Sequence, residues 1–190
     1  MDDRADTTLE AGMPDDASLR RRLISALLAG GIAAVAAPLA LNRASASTGG
    51  ADPADHPGLN AALERESRIA ATYASALAGV SGAENVAALT LVHDHHVAYA
   101  QSLKGYLGND AIDPDRSPLA AIDGTSALSA VAKQLASLEE QILDANLSTL
   151  AALRTAGAAT LLSSIITVEG RHVAALLILG GAAPAVAAGI

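Results

Sequence analysis

GNDAIDPDRSPLAAIDG, residues 108–124, interrupts a chain that is otherwise rich in helix formers. Pro114 and Pro118 remove backbone donors, and the four aspartates favour turns and water, so the stretch reads as a surface connection, too long for a hairpin turn. Two apolar-periodic segments precede it. Pro57 opens the first, where Leu59, Leu63, Ile69, Tyr73 and Leu77 recur at helical spacing until Gly79. The second runs from a Ser81–Glu84 capping box to Leu107. Two more segments follow it: one capped by Thr125 or Ser126 and ended by Gly157, the other from about 158 to the Gly180-Gly181 stop. Short, long and short connections between four helices predict an antiparallel four-helix bundle, two up-down hairpins joined by one crossover between helices two and three.

Composition agrees with this all-α class. Of the 190 residues 51% are hydrophobic but only 2% aromatic, with no Phe or Trp, which suits close-packed Ala/Leu helices better than a β-sandwich. The length suits a single domain with a real core. A net charge of -8, with no basic cluster beyond the N-terminus, would repel a phosphate backbone and argues against nucleic-acid partners. The absence of cysteine excludes disulfides and thiolate sites and leaves His and carboxylates as the metal-ligand chemistry.

The N-terminus reads as an address. Arg20, Arg21 and Arg22, the uncharged run from Leu23 to Leu41 and the triplet Ala44-Ser45-Ala46 follow the order of an export signal, with a twin-arginine (Tat) pattern at its start. An uncleaved membrane anchor is the alternative, since the run approaches the ~20 residues a spanning helix needs. The expected organisation is therefore a signal over 1–46, a linker over 47–56, the bundle over 57–181 and a flexible tail over 182–190. The destination is the periplasm, cell envelope or exterior, with membrane contact only through the N-terminal segment if it stays uncleaved.

Ligand-type residues interrupt the apolar stripes. At alternating three and four spacing, helix one presents Glu66 between Leu63 and Ala70, helix two presents His93 and His96, helix three presents Glu139, and helix four presents Glu169 and His172. By the same spacing His95 and Asp94 rotate towards solvent. All six candidates, Glu66, His93, His96, Glu139, Glu169 and His172, fall within about one turn of their helix midpoints, which antiparallel packing brings to one level. Burying so many ionisable groups is costly unless a partner repays it, and a divalent metal ion is such a partner. Taken singly, Glu66 reads equally as a buried ion-pair partner of Arg68 or Arg171, and Tyr73 as core filler.

The segments LNAALERESRIAATY, HDHHVAYAQSL, LEEQILDANLSTL and VEGRHVAAL together resemble the ferritin-like superfamily, and within it the Tat-exported bacterial ferritin-like domain proteins. The resemblance implies a ferritin-like fold and a dinuclear carboxylate site whose pattern maps onto Glu66, position 93 with His96, Glu139, and Glu169 with His172. It implies a transition-metal cofactor, iron first, with manganese or zinc as alternatives, and leaves open Fe(II) oxidation and homo-oligomer formation. His93 departs from the pattern, standing where a Glu is expected. With three carboxylates rather than four, higher-valent iron is less stabilised, so one or two ions held without turnover is also open. The competing reading is a non-enzymatic scaffold or stress-related binding protein that keeps the polar layer without a functional metal.

Overall fold

The computed structural model describes residues 52–182; the expected signal over 1–46, the linker up to 51 and the tail from 183 lie outside the described residues. Among the described residues four long helices make the fold: α1 (His56–Leu77), α2 (Ala83–Leu107), α3 (Leu128–Ala152) and α4 (Ala156–Leu179). A 3-10 turn, Gly108–Asp110, follows α2, and there is no strand among the described residues. The fold is all-α, as expected.

The starts of the helices differ from the capping signals. Ser81 does not cap α2; the cap residue is Gly82 at φ 88°, a left-handed conformation that favours glycine, and no side chain caps it. Thr125 and Ser126 turn back onto the Asp123 carboxylate instead of capping α3, which begins after Ala127. Asp123 thus outcompetes the helix for both hydroxyls. Gly157 does not end α3. The chain turns extended at Leu153, and Thr155 caps α4 by accepting from the Ala158 amide, so Gly157 lies inside the first turn of α4.

Asp55, placed by sequence at the end of the linker, is instead 1% exposed. Its carboxylate accepts from the Arg154 and Thr155 amides (2.8 and 3.0 Å) and from the Thr155 hydroxyl (2.7 Å), tying the start of α1 to the α3–α4 turn. Burial would raise its pKa, but the Thr155 hydroxyl and the two amides hold it below the ordinary range. Asp55→Ala strands these donors and is expected to cost about 1–3 kcal/mol by urea unfolding. An unchanged midpoint would mean that the clamp is ornamental.

The tie fixes the helix directions. α3 ends and α4 begins beside the start of α1, while Gly124, just before α3, packs on Ala76 and Gly79 at the end of α1. A side chain on Gly124 would overlap the Ala76 carbonyl, so the close approach requires glycine. The crossover 108–127 therefore climbs the outside of α1. Asn60 pairs with Asp110 and Ile112, the Arg68 guanidinium donates to the Ser117 carbonyl, the Leu119 amide donates to Thr72, and Ile122 inserts into the core. The main pairings are α1 with α2 and α3 with α4, with α1 also against α3 and α2 against α4; α1 and α4 are left diagonal.

The interior is stratified. One apolar cluster, built on Ile69, Leu89, Val131, Leu135 and Leu176, fills the end of the bundle nearest the α1–α2 turn. A second, built on Leu59, Leu63, Leu103, Leu162 and Ile165, fills the opposite end. Glu66, His95, His96, Glu139, Asn146, Glu169 and His172 are buried from all four helices and are members of neither cluster. Helix α4 is long and apolar enough to cross a membrane, but half of its most apolar window is buried inside the bundle, and it carries Glu169 and His172 there.

Candidate metal centre

His96 on α2 lies at the centre of the polar layer. Nδ1 is 2.7 Å from Glu66 Oε2 on α1, and Nε2 is 2.8 Å from Glu139 Oε1 on α3. Both partners are acceptors, so only the imidazolium satisfies both contacts as a donor. Burial opposes the charge, but the Glu139 carboxylate and hydrogen bonds to Glu139 and Glu66 raise the His96 pKa well above its ordinary value. Burial likewise pushes Glu139 up, and the His96 imidazolium, together with the His172 ring whose Nδ1 stands 3.7 Å from Glu139 Oε1, holds it far below the usual carboxylate range. Tyr73 on α1 donates its hydroxyl to the same Glu139 oxygen at 2.7 Å. It is thus a member of the polar network and more than core filler.

A second strand of the network starts at the surface. Arg65 donates through Nε and Nη2 to Asn146 Oδ1 (3.0 and 2.8 Å) and through Nη2 to Thr149 Oγ1. Two guanidinium donors on Oδ1 orient the Asn146 amide inward, where Nδ2 donates to Glu66 Oε1 (3.0 Å) and Glu169 Oε1 (2.8 Å). The buried partner of Glu66 is therefore His96 with Asn146, not Arg68 or Arg171; Arg68 instead meets Asp115 and Ser117 of the crossover. Burial, then the neighbouring Glu66 carboxylate, raises the Glu169 pKa well above the ordinary range.

The third strand carries a correction. His95, expected to face solvent, is buried, with Nδ1 2.9 Å from His172 Nε2. His93, expected to point inward, is outside the layer. Its side chain is 26% exposed, its Nδ1 meets Asp94 Oδ1 at 2.8 Å, and it lines a surface groove of about 340 Å³ between α1 and α2 with Ala70, Val97 and Lys104. The inner face of α2 runs through Leu89, Val92, His96, Tyr99 and Leu103, with His95 and Ser102 beside it, a rotation that carries position 93 outward. Three histidines among four consecutive residues allow either phase on spacing alone. Burial first, then the neighbouring His172 and His96, lowers the His95 pKa to about 4, so this ring is neutral at physiological pH. Burial also lowers His172, against the pull of Glu139.

Of the residues read from sequence, Glu66, His96, Glu139, Glu169 and His172 come together at one depth, each 0% exposed. His95, Tyr99, Arg65, Asn146 and Tyr73 are the members whose part sequence reasoning missed. Asn146 stood in the helix-three stripe seven residues after Glu139, which was the available signal; Tyr99, three after His96, carried a similar one.

Five buried side-chain atoms among the described residues have no hydrogen-bond partner: His95 Nε2, Tyr99 Oη, Glu139 Oε2, Glu169 Oε2 and His172 Nδ1. All five belong to this layer or border it, since Tyr99 packs against His95, His96 and His172. Buried polar atoms are rarely left unpaired, and their concentration here fits a site built around a missing partner. Four of them are oxygen or nitrogen atoms of Glu and His, the donor types that suit iron, manganese and zinc. Ligand atoms of His96, Glu139 and His172 lie within 4.8 Å of one another, as do those of Glu66, His96 and Glu169. These residues fit a metal ion.

Residues 54–181 match the family model of the ferritin-like domain. No curated protein matches the chain, and no solved structure does.

Proposed function

We propose, from the premise that this chain belongs to the ferritin-like domain family, that its buried Glu/His layer binds one or two transition-metal ions, with iron, manganese and zinc as candidates. The supporting observation is the set of unpartnered buried atoms on Glu139, Glu169 and His172. Glu66, His96, Glu139, Glu169 and His172 would hold the metal. A bound ion supplies Lewis acidity and, for iron or manganese, one-electron exchange. The chain's own residues exclude bulk water, neutralise the ion's charge with three carboxylates, and keep a phenol, Tyr73, on the Glu139 oxygen. Burial and the Glu139 charge raise the Tyr73 pKa well above its ordinary value, so the phenol stays protonated.

The test is metal content. Full-length protein purified without a histidine tag after growth with Fe, Mn and Zn is expected to carry about one equivalent or more per chain, on the order expected for a preformed buried site. Less than about a tenth of an equivalent would sink the reading. Oxidation of Fe(II) is the finer proposal: O2 uptake with added Fe(II) should fall at least ~10-fold in Glu169→Ala, the range for lost metal-site residues. Equal rates would remove it.

One observation favours a non-enzymatic scaffold. His96 already lies between Glu66 and Glu139 as an internal cation, so much of the layer is satisfied without metal. The metal count separates the two readings.

We propose export through the twin-arginine route as well, supported by Arg20-Arg21-Arg22, the uncharged run 23–41 and Ala44-Ser45-Ala46. The expected mature N-terminus is Ser47. Arg20→Lys with Arg21→Lys should leave the precursor inside the cell; unchanged export would refute the route.

A further inference from the structure

The two ligand groups overlap in one residue. His96 serves the Glu139 side through Nε2, 2.8 Å from Oε1, and the Glu66 side through Nδ1, 2.7 Å from Oε2. A neutral imidazole has one lone pair to give, its other nitrogen carrying hydrogen, so His96 can complete only one group at a time.

The two sides also differ in what they lack. On the Glu66–Glu169 side a charge from the protein is already delivered: Asn146 donates to one oxygen of each carboxylate, and Arg65 polarises that amide from behind through two hydrogen bonds. Among the described residues, the Glu139–His172 side has no such cation besides His96. Glu139 Oε2 and His172 Nδ1 are fully buried and unpartnered. His172 Nε2 faces His95 Nδ1 at 2.9 Å, and Nδ1 stands 3.7 Å from Glu139 Oε1, so when His95 accepts from an Nε2–H the Nδ1 lone pair faces the same space as the Glu139 carboxylate. A ring nitrogen held by a partner while the other stays open is how proteins set the tautomer of a ligating histidine. Glu169 Oε2 is also without a hydrogen bond, but it belongs to the Glu66 group, where Asn146 already holds the other oxygen of Glu169.

We propose that this chain holds a single metal ion, on the His96–Glu139–His172 side, and that Arg65 acting through Asn146 stands electrostatically where a second ion would be. This rests on the metal-binding reading above and adds its stoichiometry and its ligand set. His95 is a positioning residue in it, reaching the ion only through His172.

The experiment loads the metal-free full chain anaerobically with Mn(II), removes the excess, and measures both manganese per chain and the electron paramagnetic resonance spectrum. One equivalent is expected, with the six-line signal of an isolated Mn(II). Two equivalents with an exchange-coupled spectrum would overturn the single-ion assignment while leaving metal binding intact. No bound manganese, iron or zinc would overturn both. A second variant tests the cause: Arg65→Met with Asn146→Asp removes the internal cation and adds a carboxylate, and should raise the capacity from one ion to two. A helical, cooperatively folding double variant that still stops at one would overturn the role given to Arg65 and Asn146.

Discussion

His96→Ala should destabilise the metal-free protein by about 3–5 kcal/mol, because it leaves Glu66 and Glu139 as buried acids that keep only the neutral donors Asn146 and Tyr73 and lose the charge between them. The loss should appear as a lower urea midpoint with little change in slope, since the surface exposed on unfolding is unaltered. Converting Glu66, His95, His96, Glu139, Asn146, Glu169 and His172 together to leucine, with Tyr73→Phe so that no partner is stranded, should behave oppositely. Replacing a whole buried ionic group by apolar residues of similar size is neutral or stabilising by about 1–4 kcal/mol. That variant should lose metal binding and keep or gain stability. If it unfolds, the layer is structural in its own right, and metal binding loses its claim as the reason the layer exists.

The second large effect is on pH. The His96 pKa is raised in the folded state, so its stabilisation is complete below its ordinary value of 6.5 and is lost as pH climbs through the folded value. Glu139 is depressed, so its contribution is present above its ordinary 4.5 and is lost as pH falls through the folded value. Glu169 is raised. The unfolded chain releases that proton from 4.5 upward while the folded chain keeps it, so folding is progressively disfavoured with rising pH until the folded value is passed. His96 and Glu169 act in the same direction. The metal-free protein should therefore melt higher near about pH 6 than near about pH 9, and Glu169→Gln should flatten part of that slope. A melting temperature that rises over the same interval would contradict the arrangement of charges described for the layer. Bound metal would take the place of these protons, so the loaded protein should lose the alkaline decline.

The helix count and the crossover were legible because Pro114, Pro118 and the aspartates leave no helical alternative over 108–124. The helix starts were less so, since Asp123 and Gly82 supply local geometry that capping statistics do not anticipate. Within the site, Glu66, Glu139, Glu169 and His172 follow from their stripes, because Leu, Ile and Val on either side fix the rotation of α1, α3 and α4. Helix α2 has no such marker around its histidines: Val92, Val97 and Ala98 place apolar residues on several faces, so positions 93 and 95 differ by a rotation that spacing cannot choose. Packing chose it, through His172 on α4. The Arg65–Asn146 link was out of reach, being a contact between residues 81 apart whose meaning depends on a shared amide.

The division of the interior into two oily blocks by a charged seam bears on how the rods find their alignment. Alanine and leucine side chains offer few bulky pegs, so a helix sliding one turn, ~5.4 Å, past its neighbours would still meet hydrocarbon along most of its length. At the seam the same slip would drive Glu139 or His172 into Leu135-like surroundings with no counter-charge. A few ionisable groups thus act as a notch that admits one alignment of four otherwise slippery cylinders.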